Sequence, residues 1–352
     1  MSSSALAANG PYSTALSNTN PGAIDPGVPG FVGPAGVGVA DPSNSVNPAF
    51  VNWATGVASY TPAPGVATDW SDSSKTLGPV TGDNFDIASL GDLSAAQLAT
   101  GVQPGQITLS FNHGIRNGPG ADFAVFENSF GSQTSAFIEL AYVEVSSDGQ
   151  HFERFPSISL TPSPLPNAFS NLNPTNLHNL AGKHVNNGDS WGTPFDLSEL
   201  PSDPNVNPRD IRYVRMVDIP GNGAFSDSQG HPIYDPWQTV GSGGFDLEAV
   251  GVLNSWLAGD ADFNGKVNAH DLGILARNWQ LSGRDFSQGD FNFDGTVDLL
   301  DVYLLAQNWL VDEGSLDAAL AAAGLPIQSV PEPTSLLSII FIACSARSRR
   351  HR

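Results

Sequence analysis

Sulfur is scarce in this chain: it has one cysteine and two methionines, and the cysteine, Cys344, lies in an apolar stretch near the C-terminus. No disulfide can form within the body, so packing or metal must hold it together. Positive charge is also scarce. Fourteen Lys plus Arg face 35 Asp plus Glu, a formal net charge of -21. Arg347, Arg349, Arg350 and Arg352 crowd the extreme C-terminus, so the remainder is more acidic still. Such a chain repels phosphate backbones, which excludes nucleic acid as a partner. It suits divalent cations and solubility in salt. Several signatures are missing as well: no HExxH, no GxSxG elbow and no phosphate loop occurs. Carboxylates are plentiful enough to supply a glycosidase pair, but no motif marks one.

The N-terminus MSSSALAANG lacks the charged start and the apolar run of about 7–15 residues of a secretion signal. Ala5-Leu6-Ala7 reads either as a cleavage site without its apolar half or as part of a disordered Ser/Ala-rich leader.

Glycine (37) and proline (27) are abundant, which points to turn-rich β structure rather than helix bundles. Residues 1–45 have little periodicity and read as an irregular arm. From 46 to 254, short apolar runs alternate with turn signals. Strands are expected at 107–111, 121–128, 141–149, 211–219 and 245–253. AYVEVS and IRYVRMV alternate in the manner of half-buried strands. Asp148-Gly149 is a hairpin-turn signal between VEVSS and HFERF. The stretch 163–184 reads as a long loop. The expected fold class is mainly β, a sandwich followed by a small all-α module. His113, His151 and His231 sit beside turn residues and read as loop or surface groups. Asp122 and Glu127 flank one strand, while Asp246 and Glu248 lie two apart on another; they read as a solvated strand end or as an additional calcium site.

The most informative feature is a repeat. GDADFNGKVNAHDLGILARNW from Gly259 returns as GDFNFDGTVDLLDVYLLAQNW from Gly289. Asp260, Asp262, Asn264, Asn268 and Asp271 occupy positions 1, 3, 5, 9 and 12 of the first loop. Asp290, Asn292, Asp294, Asp298 and Asp301 do so in the second. Gly265 and Gly295 stand at position 6, and the carbonyls of Lys266 and Thr296 at position 7. Hard oxygen ligands at this spacing describe a calcium loop of EF-hand type, with one ion per loop and two in all. Mg²⁺ suits it less, because it demands a smaller octahedral shell. A helix follows each loop: Leu272, Leu275, Ala276 and Trp279 form one apolar stripe, and Val302, Leu305, Ala306 and Trp309 its twin. The loops carry little apolar material, so calcium is expected to supply folding energy. LDAALAAAG (316–324) reads as a short helix within a linker over 314–329.

With Asp rather than Glu at position 12, the module (259–313) resembles a type I dockerin. The resemblance implies an extracellular protein attached to a cohesin, classically in polysaccharide breakdown. It also implies that positions 10 and 11, here Ala269-His270 and Leu299-Leu300, face the partner, although the family often has hydroxyl residues there. The tail 330–352, VPEPTSLLSIIFIACSARSRRHR, is similar to a PEP-CTERM sorting signal of Gram-negative bacteria. Pro331, Glu332 and Pro333 carry that motif. The resemblance implies transient membrane insertion through the tail, removal by an exosortase-type enzyme, and export to the cell surface or matrix. The order of apolar run then arginines matches a stop-transfer segment, though the run is shorter than the ~20 residues of a spanning helix. VEVSSDGQHFERF followed by IRYVRMVDI resembles the discoidin and coagulation-factor C-type jelly rolls, which implies adhesion or glycan binding. GPGADFAVFEN and GGFDLEAVGVL have the general look of PEP-CTERM surface proteins. Together these features lead us to expect an exported, non-catalytic binding sandwich with a calcium-binding docking module. The rival expectation is an enzyme or accessory subunit of polysaccharide degradation.

Overall fold

The computed structural model describes residues 10–13, 25–132, 134–186, 190–241, 243–310 and 314–325. The chain divides into two units, which part between Ser255 and Trp256. The sorting motif Pro331-Glu332-Pro333 and the rest of the tail lie outside the described residues.

The first unit is built on two antiparallel sheets. One runs in the order Val28–Pro29, Trp191–Phe195, Phe123–Glu127, Asp246–Val252, Asn52–Trp53, with Ala88–Ser89 also paired to Asp246–Val252. The other runs Glu153–Arg154, Ala141–Ser146, Ile211–Asp218, Gln106–Ile115, Gly56–Thr61. All five expected strand regions are strands. Phe123, Val125, Leu247, Val250 and Val252 of the first sheet share one buried core with Ile107, Leu109, Val143, Val145, Val214 and Met216 of the second. The two sheets therefore pack face to face, each strand sending alternate side chains inward.

Alternation misreads one strand. Ile211–Asp218 is half-buried, but every residue of Ala141–Ser146 is buried. Its outer face is covered by a second core, in which Tyr142 packs with Leu140, Leu177, Leu180, Ile219 and Ile233. The one acid facing out of this strand, Glu144, is neutralised by Arg154 and Arg215. Much of that cover comes from 163–184. This segment is largely irregular, as its sequence suggested, yet Leu172, Leu177, Leu180, Lys183 and His184 within it are buried. The Asp148-Gly149 signal does join two antiparallel strands, but not by a two-residue turn. The connection runs from Ser147 to Phe152, and Asp148 Oδ1 accepts the N–H groups of Gln150 and His151 at 2.8 Å each.

The described part of the N-terminal arm is more ordered than its composition suggests. Val28–Pro29 is an edge strand of the first sheet, and Phe31–Val32 pairs with Ser45–Val46. Asp25 pins the arm: its carboxylate meets Lys183 Nζ at 2.7 Å and His178 Nδ1 at 2.9 Å, while Glu199 takes His178 Nε2 at 2.8 Å. The Lys183 side chain is 0% exposed. Burial pulls its pKa down to about 8 even with Asp25 opposite. Burial also acts downward on His178, but its two carboxylate partners outweigh it and raise the pKa to about 9.

Removing one partner of a buried ion pair strands the other charge, which costs about 3–5 kcal/mol, whereas an apolar isostere for the cation is close to neutral. Urea unfolding at pH 7 is therefore expected to show a loss of about 3–5 kcal/mol for Asp25→Ala and a much smaller change for Lys183→Met, because Asp25 keeps His178.

Candidate functional site

The second unit is the repeat. Its helices are Ala269–Arg277, Leu299–Gln307 and Leu316–Ala322. Each of the first two starts where a loop ends, and the same residues do both jobs. Asn268 Oδ1 accepts the His270 N–H at 2.8 Å, while Asp271 Oδ2 accepts the Asn268 N–H at 2.9 Å. Asp298 and Asp301 repeat the pattern at 2.8 Å each. These are reciprocal N-caps, and the position-12 carboxylate that closes the loop is also the third residue of the helix. Its other oxygen reaches back to the loop's start: Ala261 N–H to Asp271 Oδ1 at 3.0 Å, Phe291 N–H to Asp301 Oδ1 at 2.7 Å.

The halves interlock symmetrically. Gly259 (φ +97°) packs 2.8 Å from the Leu305 Cα, measured from where its Cβ would stand, and Gly289 (φ +100°) stands the same 2.8 Å from the Leu275 Cα. A side chain at either glycine would collide with the opposite helix. Val267 O accepts the Leu310 N–H at 3.1 Å, and Val297 O accepts the Gln280 N–H at 2.8 Å. Leu272, Leu275, Val302 and Leu305 are buried between the helices, with Ala276, Trp279 and Trp309 packed at the margin. The expected stripes are therefore core.

Two features escaped the sequence reading. The loops are not poor in apolar material: Trp256, Phe263, Phe286, Phe291 and Phe293 stack over them, with ring centroids 4.9 to 6.0 Å apart. Phe263 and Phe293 hold position 4 of their loops at φ +55° and +60°, a left-handed backbone that persists only where packing enforces it. The helix at 316–322 is also no mere linker, since Leu320 and Leu325 belong to this same core. The signal for both was available, in the shared F-x-G spacing and in the apolar face of LDAALAAAG.

At the site itself, oxygens of Asp260, Asp262 and Asp271 all lie within 4.8 Å of one another. Asp260 receives the Gly265 N–H at 2.8 Å and the Asn264 N–H at 2.9 Å. Burial nevertheless pushes its pKa up to about 6, and burial raises Asp271 too. Burial acts upward on Asp262 as well, but hydrogen bonds from His270 and Asn264 outweigh it and hold it below the usual range. Asn264 Oδ1 receives the Lys266 N–H at 2.9 Å. In the second loop Asn292 replaces the position-3 carboxylate. Its amide meets Asp294 Oδ2 at 2.9 Å, and Asp294 Oδ1 receives the Thr296 N–H at 2.8 Å. Burial raises Asp290 and Asp301. Asp290 Oδ1 is buried and makes no hydrogen bond. Three converging carboxylates in one loop and an orphaned carboxylate oxygen in the other fit a hard cation. The donors are oxygens, which suits Ca²⁺ rather than a thiolate- or imidazole-seeking metal. Bound there, the ion would neutralise the acids that hold each helix start.

Of the residues expected to face a partner, Ala269, His270, Leu299 and Leu300 are all exposed at the helix N-termini. Leu299 is 48% exposed and Leu300 57%. His270 is not free for a partner alone, because its Nδ1 lies 2.8 Å from Asp262 Oδ2.

Because the position-12 carboxylates tie coordination to helix capping, calcium removal should be visible in the helices. The far-ultraviolet circular dichroism of the full chain at 222 nm is expected to weaken on adding EGTA and to recover with excess Ca²⁺. A spectrum indifferent to EGTA would refute the metal centre.

No curated protein matches the chain. Residues 258–310, however, match the dockerin type I domain, a module found in extracellular and cell-surface proteins that typically binds calcium and assembles proteins through cohesin partners.

Proposed function

We propose that this chain is an exported cell-surface or matrix protein, whose β-sandwich binds a glycan without turning it over and whose repeat, loaded with two calcium ions, docks it to a cohesin-type partner. The observation that carries the docking half is the pair of exposed leucines, Leu299 and Leu300, at positions 10 and 11 of the second loop. An exposed apolar pair on a rigid helix start is an interface anchor in waiting. The first loop offers Ala269-His270 at the same place, so the two faces are unlike and one is expected to dominate. In the sandwich, which we read as a jelly roll, Phe85, Phe130 and Phe169 are exposed around one cleft of about 330 Å³. Aromatic faces over a polar floor suit the apolar faces of sugar rings. The tail with Pro331-Glu332-Pro333 supports delivery by a sorting enzyme of exosortase type. Intact-mass analysis in the native host should then find the residues after that motif removed.

A second reading, polysaccharide hydrolysis, has one observation in its favour: Glu139 and Asp246 both line that cleft, and both are buried acids. A carboxylate pair is the machinery of glycoside cleavage.

Calcium titration is expected to give two ions in the repeat, with Asp290→Ala retaining one. Affinity should be tighter than the ~10⁻⁴–10⁻³ M of weak extracellular sites. Leu300→Asp should weaken calcium-dependent capture of type I cohesins by at least about tenfold while leaving the helix signal unchanged. A cohesin panel that ignores the wild-type chain in calcium would defeat the docking half. The wild-type chain should release no reducing sugar from plant or algal polysaccharides; release that disappears in Glu139→Gln would establish the hydrolase instead.

A further inference from the structure

Of the two readings the sequence left open for Asp122, Glu127, Asp246 and Glu248, the solvated strand end does not hold. Asp122, Glu127, Asp246 and Glu248 are each at most 2% exposed. Three of them have backbone donors. Asp122 takes the N–H groups of Gly118 and Leu197, Glu127 that of Ser129, and Glu248 those of Thr81 and Gly82. A shift in register between Leu247 and Ala249 separates Glu248 from Asp246, and Asp246 is left in a different position. Its Oδ2 has a long contact, 3.3 Å, from Asn128 Nδ2, and the Ser89 hydroxyl lies close enough to act on the carboxyl as well. Its Oδ1 is buried and has no hydrogen bond at all. The Ser89 hydroxyl, on the paired strand, has one proton and directs it to the Gly243 carbonyl at 3.0 Å.

A second unpartnered oxygen lies in the same cleft. Asn84 Oδ1 is buried without a hydrogen bond, and Asn84, Asn128, Glu139 and Asp246 all line that one cavity. Asn128 Nδ2 also donates to the Asn84 carbonyl at 3.1 Å, which ties the two asparagines together beside Asp246. Glu139 comes from the facing side, where Oε1 accepts from Thr239 and from the Gly244 N–H. No lysine, arginine or histidine lines the cleft among the described residues. Lys75, near its rim, is committed to the Phe85 carbonyl at 2.9 Å.

We propose that Asp246, Glu139, Asn84 and Asn128 form a calcium site at the floor of this cleft, separate from the two loops of the repeat. A buried carboxylate oxygen with no donor calls for a proton or a cation. The orphaned amide oxygen beside it calls for a cation or a donor, and a protonated Asp246 supplies at most one. Two carboxylates and two amides are an all-oxygen set, which excludes soft metals, and their differing lengths suit the flexible shell of Ca²⁺ better than the octahedron of Mg²⁺. Burial pushes both acids up, Asp246 to about 8 and Glu139 well above the ordinary range. That is the expected state of such a pair without its counter-ion. Because the cleft opens to solvent, coordination positions remain for water or for hydroxyls of a bound ligand.

The test uses the full chain with both loops disabled, Asp260→Ala/Asp290→Ala. After equilibration with CaCl₂, elemental analysis is expected to find one Ca²⁺ per chain in that double variant and none when Asp246→Asn is added. EGTA is expected to lower the melting temperature of the double variant by about 5 °C, a shift of ordinary size for one tight ligand, and to leave the triple variant unmoved. Should the triple variant fail to give a folded spectrum, Asn84→Ala in the double background serves in its place, with at least a tenfold loss in calcium affinity expected. A double variant that binds no calcium and melts identically in EGTA would show that Asp246 simply carries a proton. One ion per chain retained in both the Asp246→Asn and Asn84→Ala forms would place it elsewhere and overturn the assignment.

Discussion

Too many carboxylates for the available cations is the constraint around which this protein is arranged. Burying a carboxylate is unfavourable unless something offsets its charge, yet acids are buried throughout, and among the described buried residues Lys183 is the only lysine or arginine. The chain meets the constraint in three ways. Arginine serves one buried acid, Glu144, which Arg154 and Arg215 bracket from the solvent side. Backbone N–H groups serve Asp122, Glu127 and Glu248, which are dipoles rather than charges and need no counter-ion in the sequence. Asp218, Asp227 and Asp235 take backbone N–H groups as well, while Asp260, Asp262 and Asp271 converge in the first loop of the repeat, where a cation fits.

The repeat shows why gathering them is useful. A short helix is marginal in water, and each of the first two here begins on a capping residue whose partner is the carboxylate that closes a metal loop. An ion held by that carboxylate would therefore act on the helix start as well. The second level of order is mutual: each loop's leading glycine lies against the other helix, and each loop's valine carbonyl holds the residue after the other helix. Neither half has a complete core without its twin. This accounts for the duplication, and the aromatic cluster of Trp256, Phe263, Phe286 and Phe293 fixes the loop backbone from outside.

In the larger unit, stability is layered. The two sheets make one core, and long irregular segments make others on their outer faces. A chain without disulfides gains from this, since covering both faces of a sheet roughly doubles the apolar area it removes from water. It also sets exposed phenylalanines around a cleft whose floor is polar.

By itself the sequence determined what depends on local spacing. Oxygen side chains at fixed offsets around Gly265 and Gly295 mark two loops of calcium-binding spacing, because one loop's candidate ligands lie within a single short segment. The strands expected at 107–111, 121–128 and 211–219 were equally legible, being runs of apolar and β-branched residues bounded by turn signals. Tertiary structure decided whatever depends on what lies across from a residue. Alternation marked 141–146 as half-buried because no local pattern records that Leu177 and Leu180 will cover its outer face. For Asp246, at the start of a strand, the sequence left a solvated end and a calcium site both open, and only folding brings Asn84, Asn128 and Glu139 into one cleft with it from three other segments. Burial and convergence are properties of pairs distant in sequence, and a reading along the chain contains no term for them.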